Sequence, residues 1–242
     1  MHSLIIHMTS STARRDNVDR LLHDLPDARV VNAVDGRDPL QIADVRRMNG
    51  NAFSPHYPFA LRPAEIGVFQ SHRRCWQQIV DEGWDYALIV EDDLRVDPAK
   101  FAVVLEMIRE KGTADMYIRL PVKARETPAA ILAERGNSRL ILPRIIGLQC
   151  ICQVVGRNAA RRLLVASETI DRPVDTFLQM HWVTGQPVHA ILPNGNAEVA
   201  QQIGGSTIQV KTRGSGKLLR ELKRAWYRTL IKIRLQRPES RP

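Results

Sequence analysis

Long apolar runs are missing from this sequence. No window approaches the roughly 18 to 20 consecutive apolar residues of a bilayer-spanning helix, so no transmembrane helix is expected. Leu4-Ile5-Ile6 has no basic flank before it and is too short for the apolar core of a secretory leader, so none is expected either. Cysteine is scarce. Cys75, Cys150 and Cys152 form an odd set, and Cys150-x-Cys152 sits in an apolar, strand-like run with no second pair. That context favours reduced, buried thiols over zinc ligands and fits a cytoplasmic setting. Internal repeats and low-complexity tracts are absent as well, which argues against solenoids and against disorder. What remains is a globular composition, with 44% hydrophobic and 25% charged residues, and 242 residues suffice for a substantial core.

The charge is unevenly spread. Of the net +9, residues 217–242 carry +7, from nine Lys/Arg against Glu221 and Glu239, and +2 is left for residues 1–216. Basicity belongs to a tail (213–242) that follows a nearly balanced main domain (1–212).

Within that domain the pattern alternates. Ser3 to Met8 reads as a strand and "TSSTARRDNVDRLLHDL" as a helix capped by Thr9, Ser10 or Ser11. "ARVVNAV" (28–34) reads as a second strand, ended by the turn formers Asp35-Gly36. A short helix is expected over 39–48, then a loop to Pro58, then a long helix from Pro63 to Gly83 with Ile66, Phe69, Trp76, Ile79 and Val80 inward. A strand over 86–90 and a helix from Pro98 to Arg109 follow, then the strand "DMYIRL" and polar connections to about Ser138. "LILPRIIGLQCICQVV" predicts two strands broken at Pro143, "RNAARRLLVAS" and "PVDTFLQMHWV" predict helices, and "PVHAILP" a last strand. The expected fold class is α/β, with a mostly parallel, mixed sheet covered by helices.

The strand "YALIV" stops in Glu91, Asp92 and Asp93, the residues hardest to hide in a core. In open α/β sheets ligands bind beyond the carboxyl ends of strands. Alternation sends Glu91 and Asp93 to one side and Asp92 to the other. Two carboxylates together are hard oxygen donors suited to Mg²⁺ or Mn²⁺, with phosphate oxygens and water completing the shell. A solvated acidic turn before Asp97-Pro98 is the competing reading.

The block "RPAEIGVFQSHRRCWQQIVDEGWDYALIVEDDL" (62–94) resembles the signature of glycosyltransferase family 25, whose members build bacterial lipopolysaccharide or lipooligosaccharide. Pro63, Glu65, Ile66, Gly67, Ser71, His72, Trp76, Asp85 to Leu88 and Glu91 to Asp93 carry the match. "STARRDNVDRLL", "VVNAVDGRD" and "RPVDTFLQMHW" agree with it, so that the likeness covers roughly residues 3–210. Two places depart from the family pattern: His7-Met8 stands where Asn-Leu is usual, and "GLQCICQVV" where a Gly-Thr-x-Ala-Tyr run is expected.

The resemblance implies a GT-A-like nucleotide-sugar-binding fold and inverting transfer of a hexose, often galactose, from a UDP-sugar to a lipid-linked oligosaccharide. It also implies that Glu91-x-Asp93 grips Mn²⁺ or Mg²⁺ on the diphosphate, with Asp92 on the ribose or the metal. Asp175 is then the leading general base, though an Asp at the start of a helix is equally a cap. Glu65 is a weaker rival, because it also suits a first helical turn. Arg15 is expected near the diphosphate or uridine, helped by the positive end of the helix it opens. Asp35 is expected on uridine or ribose, and Ser71 and His72 in contact with substrate.

In the tail, Leu218, Leu222, Ala225, Trp226, Leu230 and Ile233 fall at helical spacing among Lys and Arg. This reads as an interfacial helix for the anionic inner-membrane surface, or alternatively as a helix docked on the domain. Nucleic acid is not an expected partner, because the main domain is nearly neutral and the tail keeps a continuous apolar stripe. A nucleic-acid-binding protein and an inactive scaffold with this fold are the competing functions.

Overall fold

The computed structural model describes residues 1–204 and 217–238, with the backbone alone at 217 and 218. In chain order the elements are β1 (His2–His7), α1 (Arg15–Asp24), β2 (Ala28–Asn32), α2 (Pro63–Asp81), β3 (Tyr86–Glu91), β4 (Leu94–Arg95), α3 (Pro98–Lys111), β5 (Tyr117–Arg119) and β6 (Pro128–Arg135). They continue with β7 (Ser138–Pro143), β8 (Cys152–Gly156), α4 (Arg157–Ala166), α5 (Val174–Leu178), α6 (His181–Thr184), β9 (Val188–Leu192), β10 (Ala197–Glu198) and α7 (Lys217–Lys232).

Eight strands form one sheet in the order β2-β1-β3-β8-β5-β9-β7-β6, and β4 pairs with β10 apart from it. The β2-β1-β3 third is parallel, β8 and β7 run against their neighbours, and β5 and β9 are parallel to each other. Strand alternation divides the core into two layers. Leu4, Ile6, Ala87 and Ile89 face Phe69, Trp76 and Ile79 of α2 and Leu163 of α4. Ile5, Leu88 and Val90 face Val18 and Leu21 of α1 and Phe101, Val104 and Ile108 of α3. The α/β class read from the sequence is the one observed.

Three local expectations change. The polar stretch before Ser138 contains β6, an edge strand paired with β7 on one side and half exposed. Its opening Pro128 and closing Glu134-Arg135 are tolerable only at a sheet edge, which is why it reads as a connection. Residues 39–42 make a single 3₁₀ turn, and "PVDTFLQMHWV" splits at Gln179-Met180 into α5 and α6. No Thr9, Ser10 or Ser11 side chain caps α1, because a 3₁₀ turn over Thr12–Arg14 intervenes. The expected boundary between domain and tail, at 212/213, lies outside the described residues.

A close approach fixes α2 against the loop after β2. A Cβ on Gly67 would sit 2.6 Å from both Gly36 N and Val34 O, and one on Gly36 would sit 1.8 Å from Pro63 O. Only backbone fits between these segments, and both walls belong to the cleft described below. Gly67→Ala is therefore expected to lower stability by about 1–3 kcal/mol, through overpacking against main-chain atoms that cannot rotate away. A lower urea midpoint at unchanged m-value checks this.

Candidate active site

Because β1, β2 and β3 are parallel, their carboxyl ends share one edge of the sheet, where ligands of such sheets bind. His7 ends β1, Val34-Asp35 follows β2, and Glu91 to Asp93 follow β3. The first turns of α2 and the turn Pro173–Thr176 enclose that edge in a cleft of about 580 Å³, the size of a small-molecule site. Asp35, Glu65, Ser71, His72, Glu91, Asp92, Asp93 and Asp175 all line it. Residues from separate stretches of chain thus converge.

The three acids have different fates. Asp92 is buried and fully engaged: His7 Nδ1 donates to one oxygen at 2.8 Å and Arg14 Nη1 to the other. Asn17 Nδ2 donates to the Asp92 and Leu94 carbonyls at 2.9 and 2.8 Å, pinning the backbone of the acidic turn to α1. The Asp92 side chain is thus taken up by protein partners, rather than turned to a ribose or a metal. Asp93 is 9% exposed; Arg14 Nη1 lies 3.4 Å from its Oδ2, while its Oδ1 is buried and has no hydrogen-bond partner among the described residues. Burial first and the Glu91 carboxylate second push Asp93 up to about 7, against the pull of Arg14. Two acids brought together with one oxygen unpartnered is a donor set that a hard cation suits. Among the described residues no group of three or more His, Cys, Asp or Glu side chains forms a metal cage. The protein donors would therefore be Glu91 and Asp93, with other oxygens completing the shell.

A buried polar chain supports Glu91 from behind. Tyr117 OH donates to Gln153 Oε1, and Gln153 Nε2 donates to His72 Nδ1 at 2.8 Å. That leaves the proton on His72 Nε2, which faces Glu91 Oε1 at 3.4 Å. His72 is fully buried at the wall of the cleft, where this contact orients Glu91.

Other expectations shift for equally local reasons. Arg15 lies on the exposed side of α1, and its neighbour Arg14 enters the cleft, because the 3₁₀ turn sets the phase of the helix. Glu65 closes a capping box, with Arg62 N donating to its Oε2 at 2.8 Å, so it serves the start of α2 rather than a proton transfer. Ser71 Oγ donates to Gly67 O and accepts from Val34 N, both at 2.8 Å, and so ties the cleft wall together rather than reaching for substrate. Asp35 stays at the rim, where Arg37's side chain and then its amide hold its carboxyl below the usual range.

Asp175 opens α5 at the cleft. Its Oδ1 accepts the Thr176 amide at 2.7 Å and the Thr176 hydroxyl at 3.2 Å. Burial raises its pKa, while the amides of Thr176 and Gln149 oppose that rise. An acid poised this way suits proton acceptance better than a solvated one does. All three cysteines are free and buried, and burial pushes their thiols up. Arg14, His7, Asn17, Tyr117 and Gln153 are the residues that sequence reasoning missed. Of these Gln153, a lone amide in the apolar run "CICQVV", and His7, a departure from the family pattern, left a visible trace.

Asp93 gives a prediction in pH. Below its ordinary value near 3.8 both folded and unfolded forms are protonated; between there and about 7 only the folded form keeps the proton. Stability therefore falls as pH rises through that window. In EDTA, Asp93→Asn is expected to gain stability over wild type as pH goes from 5 to 8, as read by urea melts. An advantage that does not change with pH would show that no strained charge resides there.

The sequence profile described as "Glycosyltransferase family 25 (LPS biosynthesis protein)" matches residues 1–134. Human procollagen galactosyltransferase 2 is 29% identical over 194 residues, covering 72% of this chain and 29% of that protein. An Aedes aegypti glycosyltransferase 25 family member is 33% identical over 198 residues, covering 75% and 32%. Human inactive glycosyltransferase 25 family member 3 is 28% identical over 189 residues, covering 72% and 31%. The chain spans about three tenths of the length of these relatives. Mannose-1-phosphate geranyltransferase from Thermus thermophilus superposes with a TM-score of 0.39 at 11% identity, over 78% of this chain and 73% of that one, too loosely to bear on chemistry. On the profile match, which takes in the acidic turn and the long helix before it, the chain belongs to glycosyltransferase family 25.

Proposed function

We propose that this chain is an inverting hexosyltransferase that moves a sugar, galactose in the first instance, from a UDP-sugar to a lipid-linked oligosaccharide such as a lipopolysaccharide core. The observation that carries the reading is the pair Glu91 and Asp93 at the carboxyl end of β3, sharing a cleft with Asp175. The name of the procollagen galactosyltransferase relative supports galactose as the sugar.

In this reading Asp175 accepts the proton of an acceptor hydroxyl as that oxygen bonds to the anomeric carbon. The bond from that carbon to the diphosphate breaks on the opposite face, its electron pair leaving with UDP, and the configuration inverts. A divalent cation, Mn²⁺ or Mg²⁺, held by Glu91 and Asp93 would neutralise the charge that gathers on the leaving diphosphate. The Tyr117–Gln153–His72 chain keeps Glu91 in place, Asp92 with Arg14 and His7 holds the acidic turn to the sheet, and Asp35 is placed to receive ribose hydroxyls at the rim.

The C-terminal helix supports an anionic inner-membrane surface as the place of reaction. Helix α7 is docked, not detached: Tyr227 and Ile231 are buried, and beyond the helix Gln236 bonds to Pro143 O and to both backbone groups of Val188. Leu219, Leu222, Trp226 and Ile233 are left 59–69% exposed on another face, accompanied by Arg220, Lys223 and Arg228. Among the described residues no helix is long and apolar enough to cross a membrane.

Two experiments test these statements. UDP release is measured over UDP-galactose, UDP-glucose and their N-acetyl forms, with Mn²⁺ or EDTA, for wild type and Asp175→Asn. The variant is expected to keep donor binding and lose about 10²- to 10⁴-fold in kcat. Donor binding with no release from wild type would identify an inactive scaffold, and full activity in EDTA would exclude the cation. For the membrane, Leu222→Gln combined with Trp226→Gln is expected to abolish sedimentation with phosphatidylglycerol vesicles while leaving transfer to a soluble acceptor intact. Unchanged sedimentation would refute the membrane contact.

A further inference from the structure

One of the two segments that depart from the family pattern, "GLQCICQVV", reaches the cleft through Gln149 and Cys150. Gln149 has φ 93°, a left-handed backbone that a side-chain-bearing residue adopts only under constraint. The constraint is visible one layer below. Arg119, on the central strand β5 and 2% exposed, donates from Nη2 to Leu148 O at 2.6 Å and from Nε to Gln149 O at 3.3 Å. Its Nη1 is paired with Glu126, whose Oε1 also accepts the Gly147 amide at 2.8 Å. A Cβ on Gly147 would lie 2.3 Å from that same oxygen, so only glycine lets the carboxylate reach the loop. Gln179 at the end of α5 donates to Ile146 O at 2.6 Å, anchoring the loop's near end to the helix that Asp175 begins. The main chain of three consecutive residues, 147 to 149, is thus clamped by one buried ion pair; Gln149 and Asp175 line the same cleft, and there the Gln149 amide opposes the rise that burial gives the Asp175 pKa.

We infer that the Arg119–Glu126 pair is a positioning device for the general base: it holds residues 147–149 in the one conformation that presents the Gln149 amide to the Asp175 carboxylate. Neither Arg119 nor Glu126 lines the cleft, so both act through the loop. An ion pair this deep costs more desolvation than a hydrophobic replacement would, and a geometric duty gives a reason for it. The catalytic part of the inference rests on Asp175 being the base proposed above, whereas the structural part stands without it.

The test uses the full chain and two variants. Arg119→Met removes both carbonyl contacts, and Gly147→Ala keeps Arg119 but pushes the Glu126 carboxylate off the loop, its Cβ standing 2.3 Å from Glu126 Oε1 and 3.2 Å from Arg119 Nη1. The primary readout is the ¹³C-detected titration of the Asp175 carboxyl, which needs no turnover. Glu91 from β3, Cys150 from the loop, Tyr57 from the segment before α2 and Tyr227 from α7 also bear on that carboxyl, and the variants leave all of them in place. Losing an amide that favours the charged form is expected to move the titration to higher pH in both variants. In turnover, kcat is expected to fall on the order of 10²-fold with donor KM little changed, and the acid limb of the kcat profile to move upward with Asp175. A wild-type titration in the folded variants overturns the inference. If Arg119→Met does not fold, Gly147→Ala decides alone. If the titration shifts while wild type turns over no donor, the brace is real and the assignment of Asp175 as base is what fails.

Discussion

Two acids, each less than a tenth exposed, stand side by side at the end of a fully buried strand, and everything around the cleft is arranged by how that charge is divided. Asp92 is neutralised inside the protein by Arg14 and hydrogen-bonded by His7, in an arrangement where loss of the charged partner would cost about 3–5 kcal/mol. Asp93 is compensated only in part, and its neighbour Glu91 opposes its charge rather than relieving it. A fold does not retain such an arrangement for stability, because an apolar replacement would be cheaper. The acidic turn is therefore a structural anchor through one residue and a reservoir of unbalanced negative charge through the two that flank it.

The same division explains why the supporting cast comes from so far away in sequence. Holding Asp92 requires the end of β1 and the turn before α1. Orienting Glu91 requires α2 for His72, β8 for Gln153 and β5 for Tyr117. Strand β8 lies between β3 and β5 and runs antiparallel to both, so Gln153 pairs with Ile89 on one side and Arg119 on the other. The parallel part of the sheet supplies the acids, and the antiparallel strand next to it, β8, carries the amide that steadies them.

How much of this could be read beforehand follows from the range of the interactions involved. The strands and helices with a clean period and the acidic strand end were legible, because local pattern and a parallel topology together determine them; Asp35 and Asp175 were set beside the acids only by the family resemblance. The choice between Arg14 and Arg15 was not, since it turns on a 3₁₀ turn that shifts helical phase by one residue. Glu65 and Ser71 carry the right chemistry for catalysis yet spend it on backbone groups, a competition that composition cannot settle. The departure His7-Met8 became intelligible only once His7 was seen against Asp92, across 85 residues of chain.

Arg172 extends this logic to the C-terminal helix. It is fully buried next to Asp171, donates to the carbonyls of Phe53 and Pro55 and to the hydroxyl of Tyr227, and lies over the rings of Phe53, Tyr57 and Tyr227. Pro173 follows it directly, and Asp175 comes two residues later. One guanidinium therefore joins the loop that carries Tyr57 into the cleft, the turn that carries Asp175, and helix α7. Arg172 remains charged at any working pH with Asp171 as its counter-ion, so giving up a carbonyl or hydroxyl contact would leave a buried guanidinium N–H without its acceptor. Helix α7 is for that reason a support of the cleft wall as well as the bearer of an exposed apolar stripe.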